Sequence, residues 1–138
     1  MDYTGTGRTN YVTVIDVDGL LKAIEPFNIT FREHSERKGT YAFFDSRDQG
    51  WPAHGLDGEG KDIDLDIGQT IMPFVAEGEV LVMMDCGSEG DRYVGGWAQA
   101  WLRRGDSSDM VTVGLHSIYD LASQKFGVAV DQIGRAEY

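Results

Sequence analysis

Apolar and polar positions follow two rhythms along this chain, and both are clearest between Glu77 and Gly127. Val80-Leu81-Val82-Met83-Met84 is apolar at every position. Tyr93 to Leu102 alternates large and small residues, and Met110-Val111-Thr112-Val113 completes the set. Short polar turns separate these runs, so they read as three consecutive strands. Parity puts Tyr93, Trp97 and Trp101 on one face and Val94, Ala98, Ala100 and Leu102 on the other. Gly95-Gly96 marks a bulge or a close approach of another backbone. The period then becomes helical. Ile118, Leu121, Ala122 and Phe126 make one stripe, Ser117 and Asp120 form an acidic capping box, and Gly127 ends the helix. The spacing predicts a helix over 118–126 with this stripe buried and one sheet face covered.

Weaker signals precede this block. The β-branched run Tyr11–Ile15 reads as a strand, and Asp18 as the N-cap of a short helix over 19–25. Pro26 stops that helix, because the residue before proline is driven out of helical geometry. Ile29–His34 and Thr40–Phe44 form a hairpin across the polar Ser35–Gly39. Residues 61–67 alternate strictly: Ile63, Leu65 and Ile67 face inward, and Asp62, Asp64 and Asp66 face outward. Residues 45–60 have neither period nor propensity and read as a long loop, a length usually associated with function or mobility. Residues 1–9, rich in glycine and threonine, read as a flexible segment ahead of one domain over 10–138. The fold class that follows is α+β: a single domain with a mainly antiparallel, twisted sheet of about five to seven strands and two short helices.

Charge sharpens this picture. The formal net charge is −11, which argues against direct binding of nucleic acid or anionic lipid. Residues 45–91 hold twelve acids and two bases, a net of −10, against eleven acids and ten bases elsewhere. One third of the chain therefore carries almost the whole excess. With Cys86 as the single cysteine, no internal disulfide or thiolate zinc site can form. No basic, apolar leader is evident and no apolar run is long enough to span a bilayer, so a cytoplasmic location is expected.

Candidate chemistry is sparse. Val14-Ile15-Asp16-Val17-Asp18-Gly19-Leu20-Leu21 resembles the first motif of haloacid-dehalogenase-type phosphatases. The resemblance would make Asp16 the nucleophile and Asp18 the proton-handling group. It spans eight residues, Leu20 stands where that motif has Thr, and the β-rich middle of the chain departs from strands alternating with full-length helices. A strand ending in a helix-capping aspartate is the expected reading. Residues 57–64 have the composition of a calcium loop, but Ile67 and Pro73 occupy the sixth and twelfth positions counted from Asp62, where an EF-hand requires Gly and Glu. No cofactor or metal is expected.

The functional expectation is a non-enzymatic interaction protein. Its acidic surface over 45–91, centred on Asp45, Asp48, Trp51, Asp57, Glu59, Asp62, Asp64 and Asp66, would meet a basic protein partner. In character, though not in sequence, it is like inhibitors of nucleic-acid-binding proteins from phages and mobile elements, whose carboxylates stand where phosphates would. Two alternatives are a small enzyme or ligand- or metal-binding domain using Asp45, Asp48, His54 and Asp57, and a structural subunit of a larger assembly. An apolar oligomeric interface would favour the last.

Overall fold

The computed structural model describes residues 3–137, and every strand pair in it is antiparallel. Among the described residues there are nine strands: β1 (Thr4–Thr9), β2 (Val12–Thr13), β3 (Ile29–Glu33), β4 (Thr40–Asp45), β5 (His54–Leu56), β6 (Asp62–Asp64), β7 (Val80–Glu89), β8 (Tyr93–Arg104) and β9 (Ser107–Gly114). Seven build one sheet in the order β2-β4-β1-β7-β8-β9, with β3 also paired to β4, while β5 and β6 form a separate hairpin. Helix α1 (Val17–Ile24), the single turn α2 (Ile67–Thr70) and α3 (Ser117–Phe126) complete the α+β domain.

One face of the sheet carries the core. Val12, Ile29, Phe43, Leu81 and Met83 point to it, and Leu20 and Ile24 of α1, Ile67 of α2, Ile71, Met72 and Val75 cover it. Phe43, Ile71, Val75 and Leu81 are wholly buried. Each such side chain stabilises the fold by about 1.5–3 kcal/mol relative to exposure. The expected strands β7, β8 and β9 and the β3–β4 hairpin are all present. Gly95 and Gly96 pair regularly with Gly87 and Cys86, so no bulge forms there. Instead, Gly96 lets Leu115 and the Asp85 carbonyl come close.

Four local expectations are corrected. Thr4–Thr9, read as flexible, is β1, an interior strand between β4 and β7; residues 1 and 2 of that segment lie outside the described residues. Its glycines are needed for close packing, since a Cβ on Gly7 would sit 2.7 Å from the Trp51 indole nitrogen. Asp16, not Asp18, caps α1, accepting the Gly19 N–H at 3.0 Å. The alternating run 61–67 does not make one long strand. Asp66 caps α2 by accepting the Gln69 N–H, so the strand stops at Asp64. Finally, α3 ends at Gly127 as expected (φ 69°) but leaves its stripe exposed: Leu121 is 58% and Phe126 72% accessible. Tyr119 is its buried residue.

Candidate interaction surfaces

Among the described residues, no layer covers the sheet face opposite the core over β7, β8 and β9. Val80 and Met84 of β7, Val94 of β8, and Val111 and Val113 of β9 are all exposed there, followed by Leu115. Register explains the arrangement. Leu81, Trp101 and Met110 lie across from one another on the core side, so Val82, Ala100 and Val111 line up on the other. Strands that are apolar on both faces are normally buried on both faces, and here only one is. The small residues Gly96, Ala98 and Ala100 keep the middle strand low, producing a groove between β7 and β9. It consists of three successive hollows of about 380, 140 and 250 Å³. The first and second share Ala98 and Val113, and the second and third share Ala100 and Val111.

This face is electrically quiet. The charged side chains that alternation places on it within β7–β9 are Arg104 and Asp109, which pair with each other at 2.8 Å. Mostly exposed apolar side chains thus run across all three strands as one patch, the kind of surface that marks an interaction site on a soluble protein.

The acidic residues are engaged differently from the sequence expectation. Asp45 accepts the backbone N–H groups of Arg47, Gln49 and Gly50, pinning the loop after β4. Asp48 takes a left-handed conformation (φ 57°), and its carbonyl accepts the Gly5 N–H. Trp51, a candidate recognition residue, is half-buried: its ring packs over Gly7 and its Nε1 donates to the Met84 carbonyl. Asp57 accepts the N–H groups of Glu59 and Lys61 and closes the β5–β6 turn. Glu77 and Glu79 accept from Gly105 and Thr13, respectively.

Asp85 was not singled out from sequence. It accepts the Trp51 N–H at 2.6 Å, and desolvation, with Asp45 nearby, outweighs that hydrogen bond and raises its pKa above the usual carboxylate value. Only its pairing across the fold reveals this, which no local motif encodes.

Glu59, Asp62 and Asp64 stay outward on the β5–β6 hairpin, while Asp48, Glu77 and Asp91 are exposed elsewhere. His54 Nδ1 lies 3.0 Å from Asp64 and 3.9 Å from Asp62, with both carboxylates largely exposed, and Glu59 is exposed at the turn. His54 thus pairs with the two β6 aspartates rather than with Asp45, Asp48 or Asp57. Among the described residues, no three His, Cys, Asp or Glu side chains converge as a metal-binding group. Among the same residues, no helix is long and apolar enough to cross a membrane. No family model matches the chain, and no curated protein or solved structure matches it significantly, so its function is read from its own geometry.

Proposed function

We propose that this chain is a structural subunit that associates with further copies of itself through the apolar back of β7–β8–β9. The carrying observation is a sheet hydrophobic on both sides and covered on one. Charge favours a second copy as the occupant. The exposed acids of two copies repel one another, whereas the back face carries a neutralised Arg104–Asp109 pair and no other charge on those strands. A standard interface takes roughly 800 Å² from each partner and is apolar at its centre, as this patch is. Sedimentation or light scattering at micromolar concentration provides the test. The native chain should give a mass that is a multiple of 15.3 kDa, and Val111→Glu with Val113→Glu should give 15.3 kDa itself. A native chain that stays monomeric overturns the reading.

A second reading rests on the β5–β6 hairpin, where Asp62 and Asp64 project beside His54. That surface suits a basic protein partner, as an inhibitor of a nucleic-acid-binding protein would require. Asp62→Asn with Asp64→Asn should weaken capture of such a partner, and unchanged capture would discard this role for the hairpin.

A further inference from the structure

Two apolar surfaces lack partners among the described residues, and they have complementary shapes. The back-face groove is concave and lies on a rigid sheet. The outward side of α3 is convex and presents Ile118, Leu121 and Phe126. We propose that α3 of one copy lies in the β7–β8–β9 groove of another. This inference rests on self-association and specifies the element that fills the groove.

The helix cannot serve its own groove. It leaves β9 through only Leu115 and His116, and it is held by its other flank. Tyr119 is buried there, its hydroxyl accepts the Ala136 N–H at 2.7 Å, and Arg135 lies over its ring. His116 stacks between Tyr93 and Tyr119. These contacts order the helix while leaving its apolar stripe free, the arrangement used when an amphipathic helix docks in a groove.

Lengths agree. Ile118 to Phe126 spans about 12 Å at the helical rise, and the groove from Leu115 to Asp109 runs roughly 20 Å at the strand rise. The helical period puts Lys125 between Ile118 and Leu121 on the outward side and Asp120 on the far side. At the groove's ends Asp109 is paired with Arg104 and Arg8 lines the first hollow, while the Asp85 carboxylate turns to the core side and accepts the Trp51 N–H. Simple stacking of two back faces would cover the groove yet leave Leu121 and Phe126 in water. Insertion of α3 covers both surfaces with one contact. Reciprocal insertion gives a two-fold pair, and successive insertion gives a ring or filament.

Mixing two variants tests this. The groove variant carries Val111→Glu and Val113→Glu; the helix variant carries Leu121→Glu and Phe126→Glu. All four positions are exposed, so circular dichroism should show both variants folded. Each alone should lose self-affinity by at least about 30-fold, as expected for removing central contacts. An equimolar mixture should form a one-to-one heterodimer, because the helix of the groove variant still fits the groove of the helix variant.

A helix variant that associates like the native chain overturns this inference while leaving self-association intact. So does a mixture that remains monomeric. A native chain that is itself monomeric overturns both.

Discussion

Asp85 shows how one residue can serve the loop above it at a cost to its own ionisation. Its carboxylate receives the Trp51 N–H, and a Cβ on Gly50 would come within 2.6 Å of it, so the turn closes directly over it. Desolvation disfavours the charged form, and Asp45 adds repulsion. The folded-state pKa therefore lies above the unfolded value of 3.8, and between those two values the folded chain binds more protons than the unfolded one. The contribution of this group to stability accordingly rises as pH falls through its folded pKa, and it is least favourable above that pKa. Asp85→Asn keeps an acceptor for Trp51 and removes the charge. Its melting temperature should equal or exceed that of the native chain at neutral pH, and the difference should shrink on acidification. Asp85→Ala removes the acceptor and should cost about 1–3 kcal/mol by leaving a part-buried N–H unpaired. Thermal melts across a pH series would check both. An Asn variant less stable than the native chain at neutral pH would refute the assignment.

Among the elements, β1 is the one that sequence period could not reveal. Thr-Gly-Thr-Gly-Arg-Thr has no apolar alternation and two strand-weakening glycines, yet it pairs over its whole length with β7. Its glycines face the core side, where Trp51 must cross the strand. Gly7→Ala would force the indole away, and overpacking of this kind should cost about 1–3 kcal/mol. A melt should show the loss, and the Trp51 indole N–H resonance should shift as its bond to the Met84 carbonyl is disturbed. An unshifted resonance and an unchanged melt would mean that the ring is not seated there. Strands β7, β8 and β9 and the β3–β4 hairpin were legible because their patterns are local and strong. Strand β6 was misjudged in length because Asp66 looks like another outward strand residue until it is seen capping α2. For α3 the amphipathic period was legible but its partner was not: a stripe signals burial without saying against what. The same holds for the groove, whose apolar residues are plain in Val80–Met84 although the missing second layer is not. The carboxylates misled in the opposite direction. A count of charges cannot show that Asp45, Asp57 and Asp66 face their own backbone.

At the scale of the molecule, its two surfaces predict opposite responses to salt. A chain with net charge −11 repels its own copies over a range set by ionic strength, about 30 Å at 0.01 M and about 8 Å at 0.15 M. The back face lacks unpaired charge on its strands, so salt screens the repulsion and leaves the apolar attraction in place. Self-association should tighten several-fold as sodium chloride rises from low to physiological strength. Asp62→Asn with Asp64→Asn should strengthen it at low salt, where removing negative charge matters most, and should make little difference at high salt. Binding of a basic protein to the β5–β6 hairpin would behave in reverse, loosening steadily as salt is added. Sedimentation equilibrium over a salt series separates the two with one protein and no partner in hand. If self-association weakens as salt rises, carboxylates are making attractive contacts between copies. The apolar back of β7–β8–β9 is then not the surface that joins them.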